Sequence, residues 1–223
     1  MPHIHKQSGE IVVRVVYDGA PEAGKTTNLL YLTEKLGLQQ RPRPASPGST
    51  GRRTEFFDYV HFDGGYVDGR KLACQVVSVP GQAALLRRRA YLLDTADVII
   101  FVVDSRAGEL AEASRQFEAT RAVIQRRLGT PLPTVVQANK QDAPNTLSPA
   151  SVRQALDLSS EVQVIGASAG EGTGVLETFL AGVRAGSRRV RELLSHEGEA
   201  FFEREGADTM EELLSAIVDA DSD

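Results

Sequence analysis

Apolar positions along this chain come in two patterns, short unbroken runs and stripes at helical spacing, and the two alternate. Ile11 to Val16 is a valine-rich run that ends in Asp18 and Gly19. A run with no polar alternation reads as a strand buried on both faces of a sheet. From Lys25 to about Leu36 the residues are good helix formers, with Leu29, Leu32 and Leu36 on one stripe, so strand, glycine loop and helix follow in order. Phe56 to Phe62 and Lys71 to Val79 read as two strands of an antiparallel hairpin, joined through the turn formers Asp63, Gly64, Gly65 and Asp68, Gly69.

After Gly81 a leucine- and arginine-rich stretch predicts a helix to about Leu93, and Val98 to Val103 predicts an apolar strand ending at Asp104. Leu110, Ala113, Phe117, Thr120, Ile124 and Leu128 form the inward stripe of a long helix stopped by Gly129. Pro133 to Ala138 is the next strand, Ser148 and Pro149 open a short helix, Val162 to Ala167 is a last strand, and a final helix starts from Gly174. This alternation implies an α/β fold: a mainly parallel six-stranded sheet with an antiparallel edge hairpin and helices on both faces. Ligands of such sheets bind outside the carboxyl ends of the strands.

Three segments stand apart from the pattern. Residues 1–9 form a polar leader, in which His3 and His5 lack a third ligand for a metal and read as a frayed terminus. Gln39 to Arg53 collects proline, glycine, serine and arginine without periodicity, as in a long exposed functional loop. We place a domain over residues 1–188 and an acidic, helical extension over 189–223. In the extension Asp208 and Glu211 make a capping box ahead of Met210, Leu213, Leu214, Ile217 and Val218. That narrow apolar face fits a helix docked on the domain or one that binds a partner, and its acidic polar face argues against anionic membrane.

Charge sharpens this division. The net charge is −5, yet residues 197–223 carry ten carboxylates and one arginine, a local −9 that leaves the remainder at +4. A generally basic surface for nucleic acid is thereby excluded, and the basic residues fall in short clusters such as Arg87, Arg88 and Arg89. With 41% hydrophobic and 25% charged residues the composition is that of an ordinary globular chain. The single cysteine, Cys74, lies in an apolar run and reads as a buried thiol in a reducing compartment. No apolar span, signal segment or lipidation motif is present, so the expectation is a cytoplasmic protein with no direct membrane anchor, monomeric when free.

The chemistry lies in the loops after the strands. Gly19-Ala20-Pro21-Glu22-Ala23-Gly24-Lys25-Thr26 matches the phosphate-binding pattern G-x-x-x-x-G-K-[ST] between a strand and a helix. Its backbone N–H groups converge on phosphate at a helix N-terminus, with Thr27 beside them; Lys25 supplies a point charge and Thr26 a ligand for Mg²⁺. Asn139-Lys140-Gln141-Asp142 follows the strand ending at Ala138 and selects GTP or GDP. The Asp142 carboxylate can accept from guanine's N1–H and exocyclic amine, a donor pair adenine lacks. Asn139 would brace the loops, the stem of Lys140 would cover the base, and Ser168-Ala169 would add a backbone N–H for the guanine oxygen.

With these motifs in place the chain resembles the bacterial Ras-like small GTPases, in particular the MglA group of gliding-motility and cell-polarity GTPases, over about residues 10 to 185. The resemblance rests on Lys25-Thr26-Thr27-Asn28-Leu29, on Arg53-Thr54 followed by Phe56-Phe57-Asp58, and on Val79-Pro80-Gly81-Gln82. It implies a P-loop G domain in which Thr54 joins Thr26 at Mg²⁺ and Thr54 and Gly81 lie at the γ-phosphate. Gln82 would orient the attacking water, and Arg53, or its neighbour Arg52, would be an arginine finger supplied in cis. It further implies a Roadblock-type GTPase-activating partner and an effector. Ser78 stands where most Ras-like proteins carry an aspartate, and Asp58 is either the replacement carboxylate or a plain strand-edge residue. Pro21 and Glu22 depart from the group. Proline removes a donor N–H and a carboxylate near phosphate is unfavourable unless it points to solvent, so slow hydrolysis is expected, with a nucleotide-locked scaffold as the alternative.

Overall fold

The computed structural model describes residues 1–36, 58–79, 86–128, 131–203, 212, 213 and 215. Its centre is β2 (Ile11–Asp18), every residue of which is buried. Val13, Val15 and Tyr17 point to one face of the sheet and Val16 to the other. Parallel neighbours flank it: β4 (Arg70–Ser78) on one side and β5 (Val98–Asp104) on the other. β6 (Thr134–Asn139) and β7 (Gln163–Gly166) continue in parallel from β5, and β3 (Asp58–Val67) adds antiparallel to β4, giving the order β3-β4-β2-β5-β6-β7.

Among the described residues the sheet has seven strands, one more than the pattern suggested, because β1 (His3–Ile4) pairs antiparallel with β2. His3 is 5% exposed, so the expectation of a frayed terminus is corrected: β2 extends beyond the start of its β5 pairing, and β1 takes up the exposed ladder edge there. The hairpin also turns differently. Asp68 and Gly69, both at positive φ, form the two-residue turn between β3 and β4, as a primed turn requires. Asp63-Gly64-Gly65 instead lies inside β3, where the register shifts between Asp63 and Tyr66 in a bulge.

Helices cover both faces. α1 (Lys25–Lys35) and α5 (Val175–Glu197) bury Leu29, Leu32, Val175 and Phe179 against one. α2 (Leu86–Asp94), α3 (Leu110–Leu128) and α4 (Pro149–Ala155) bury Leu92, Leu93, Phe117 and Val152 against the other. α4 starts where its cap chemistry demands, with Ser148 Oγ accepting from Ser151 N at 3.2 Å and proline in the first turn. α5 passes the expected 188/189 boundary without a break, and Val190 is fully buried. A turn at Glu199–Phe202 then folds back, seating Phe202 in the α1/α5 core and pairing Glu199 with Arg70. Farther on, Leu213 is fully buried in the core of the opposite face. Of the tail's predicted apolar stripe, Met210, Leu214, Ile217 and Val218 lie outside the described residues, as does its capping pair Asp208 and Glu211.

Candidate functional site

β2, β5, β6 and β7 end at one edge of the sheet, and the loops that leave them converge there. Gly19, Ala20, Pro21, Glu22, Ala23 and Gly24 form the loop from β2 into α1. Two close approaches dictate its glycines. A Cβ on Gly19 (φ 140) would fall 2.2 Å from the Val102 carbonyl oxygen, and one on Gly24 (φ 106) would fall 2.2 Å from Asn139 Nδ2. Lys25 is 7% exposed, and its ammonium donates to the carbonyls of Gly19 at 2.9 Å and Ala20 at 2.7 Å. Its charge is therefore held inside the loop, where a phosphate would compete for it. Thr26 is half-buried and Thr27 exposed at the start of α1. Pro21 and Glu22 are both exposed, and Glu22 lies at φ 62. The Glu22 carboxylate therefore meets solvent, and its field reaches Arg106, whose guanidinium is held above its ordinary pKa chiefly by the hydrogen bond to Asp104.

Asn139, the last residue of β6, ties three loops together. Its Nδ2 donates to the Ala23 carbonyl at 2.7 Å, and its Oδ1 accepts from Ala169 N at 2.9 Å. Lys140, at φ 63, turns the chain so that its ammonium meets Asp104 at 2.7 Å. Burial pushes the Asp104 carboxyl up, but hydrogen bonds from Arg106 and Lys140 outweigh it and hold it below the usual carboxylate value. Gln141 N donates to Ala167 O, which aligns the β6 and β7 loops side by side. Asp142 is exposed, and the Ser168 hydroxyl beside it lowers its carboxyl pKa.

Ser168 is 3% exposed, so its hydroxyl is screened from solvent beside that carboxylate. The expected backbone donor is already engaged: Ala169 N–H goes to Asn139 and Ser168 N–H to Thr173 O at 2.9 Å. A guanine oxygen would share the Ala169 N–H with Asn139. For Mg²⁺ the donors fit in kind. No trio of His, Cys, Asp or Glu capable of holding a metal occurs among the described residues. Mg²⁺ demands few protein ligands when phosphates and water complete its octahedron, so a hydroxyl such as Thr26 suffices.

Arg52, Arg53, Thr54, Gly81 and Gln82 lie outside the described residues. The backbone of Asp58 pairs directly with Ser78 across the β3–β4 ladder. Among the described residues, two polar networks near this end of the sheet escaped the sequence reading. Asn28 and Gln137 exchange amide hydrogen bonds at 2.8 Å in both directions, Gln137 also reaches Thr178, and Asn28 donates to Gly24 O. Their signal was a lone glutamine in the apolar run of β6. Asp18, Arg89 and Thr120 form the second, so Arg89 is 6% exposed and not a member of a surface basic cluster, whereas Arg87 is exposed.

Comparison with known proteins agrees with this geometry. The model of the ADP-ribosylation factor family matches residues 3–181. The mutual gliding-motility protein MglA of Myxococcus xanthus (strain DK1622) is 32% identical over 184 residues, covering 81% of this chain and 93% of that protein. ADP-ribosylation factor-like protein 3 of Chlamydomonas reinhardtii is 29% identical over 178 residues, covering 78% of this chain and 89% of that protein.

Proposed function

The chain belongs to the ADP-ribosylation factor family and is an MglA-type Ras-like small GTPase, and from that premise we propose that it is a GTP-binding switch of bacterial motility, polarity or related signalling. It hydrolyses GTP to GDP slowly on its own and faster with a Roadblock-type activating partner, then passes its state to an effector. One observation carries the guanine reading: the Asn139 side chain locks the phosphate loop at Ala23 to the third loop at Ala169, leaving the exposed Asp142 carboxylate, with the Ser168 hydroxyl beside it, at the open end.

In this reading Lys25 exchanges its loop carbonyls for the β and γ phosphates, and Thr26 with Thr54 holds Mg²⁺. The ion, when bound, offsets phosphate charge. Asp142 accepts from the base, Lys140 is held over it by Asp104, Gln82 orients water, and Arg53 neutralises charge developing on the phosphates. A finger of that kind is worth roughly 10³ to 10⁵ in rate. Because Glu22 meets solvent, Pro21 is the residue that slows turnover: it removes one N–H from the cradle and adds bulk beside the terminal phosphate. No helix among the described residues is long and apolar enough to cross a membrane, and we place the protein in the cytoplasm as a monomer when free.

The test is to denature the purified protein, identify the released nucleotide, and follow single-turnover hydrolysis with and without a candidate Roadblock-fold partner. Guanine nucleotide, slow unaided turnover and stimulation by the partner are expected. Adenine nucleotide would refute the base assignment. Unaided turnover of a few per second would refute the role given to Pro21. Guanine binding without turnover in either condition would instead establish the nucleotide-locked scaffold that Pro21 also favours.

A further inference from the structure

Asp18 and Arg89 carry opposite charges into the core at a place where neither strand formation nor nucleotide contact requires a charge. Asp18 ends β2 and precedes Gly19 of the phosphate loop, and its side chain is wholly buried. Arg89, on α2, meets it as a fork: Nε donates to Oδ1 at 2.9 Å and Nη2 to Oδ2 at 2.9 Å. α3 closes the group, with Thr120 Oγ1 at 2.5 Å from Asp18 Oδ2 and accepting from Arg89 Nη2 at 2.9 Å. The same nitrogen reaches Gln116 O at 3.2 Å.

Desolvating two charges opposes their attraction, and apolar residues in such places are often as stable or more so. What a bidentate pair supplies is direction, because the planar fork accepts a carboxylate in one orientation. The apolar anchors of α2, Leu92 and Leu93, pack it against the sheet through contacts that are not directional. Arg89 fixes its position along the sheet, against the residue from which the phosphate loop springs. α2 begins shortly after Gln82 in the sequence.

We propose that Asp18 and Arg89, braced by Thr120, are positioning residues that hold α2 in register with the phosphate loop and thereby favour GTP over GDP. The inference rests on the GTPase reading. GTP differs from GDP in the terminal phosphate, which is the group that the residues ahead of α2 would report. Ordering α2 beforehand lowers the cost of those contacts and leaves contacts to base and β-phosphate unchanged. Loosening α2 therefore weakens GTP binding selectively.

The experiment compares Arg89→Lys, Thr120→Val and the paired Asp18→Asn/Arg89→Met with the unaltered full chain. Affinities for GDP and for a non-hydrolysable GTP analogue are measured alongside thermal melts. Thr120→Val keeps the ion pair, so it remains informative if the arginine variants do not fold. The expected result is GDP affinity within about threefold of the unaltered chain and analogue affinity lower by about tenfold, roughly the effect of one lost hydrogen bond to a charged group. Equal changes in both affinities, no change in folded variants, or a shift toward the analogue overturns the proposal. Failure of the unaltered chain to bind guanine nucleotide would instead refute the underlying reading, independently of the variants.

Discussion

Replacing Asn139 by alanine removes a side chain that bridges the loop after β2 and the loop after β7. Asn139 is 1% exposed, and its two partners, the carbonyl of Ala23 and the N–H of Ala169, belong to residues that are 0% and 5% exposed. Each buried group left without a partner costs about 1–3 kcal/mol, so together they cost about 2–6 kcal/mol, toward the lower end where water enters the gap. At about 3 kcal/mol, and about 2–4 °C per kcal/mol for a domain of this size, the nucleotide-free protein should melt about 6–12 °C lower. Asn139→Asp provides the control, since it keeps the acceptor for Ala169 and turns a second acceptor toward Ala23, which leaves that carbonyl worse off. Thermal melts of nucleotide-stripped protein followed by circular dichroism measure both. A melting point for Asn139→Ala within about 2 °C of the unaltered protein would refute the bridge as the element joining these loops.

The same contacts carry further expectations. Asp142→Asn should exchange guanine for xanthine preference without a loss of folding; unchanged GTP binding in competition assays would overturn the base assignment. The Ser168 hydroxyl lowers the Asp142 carboxyl pKa, so the ionised form persists below the usual aspartate value of about 3.9. A carboxyl held below its usual value stays ionised from pH 8 to about 5, so the contact to the base should not titrate there, whereas the nucleotide's terminal phosphate does. In Ser168→Ala the acid limb should move upward, as binding titrations would show. Burial pushes the Cys74 thiol up to about 12, so iodoacetamide at pH 8 should label it only after unfolding; mass spectrometry of the native protein would reveal any earlier adduct. Phe202→Ala empties a fully buried site in the α1/α5 core and should cost about 3–5 kcal/mol in chemical denaturation, with GDP affinity little changed.

Local chemistry is strong enough to be read directly where a pattern has one physical solution. The valine run of β2, the glycines at 19 and 24, Lys25 and the Asn139-to-Asp142 tetrad identified the sheet and the loops that follow β2 and β6 in the order found, because each depends on neighbours in the chain. Serine and proline at 148 and 149 similarly opened α4 through contacts within its first turn. Tertiary structure decided what no local pattern encodes. Whether His3 frays or pairs depends on a vacant ladder edge of β2, and whether Arg89 is solvated or buried depends on Asp18 and Thr120, which lie 71 and 31 residues away in the chain. Gln137 became the partner of Asn28 across 109 residues, and Glu22, at φ 62, came out exposed. Charges and amides state their energetic demands in the sequence, but the partners that satisfy them are chosen by packing.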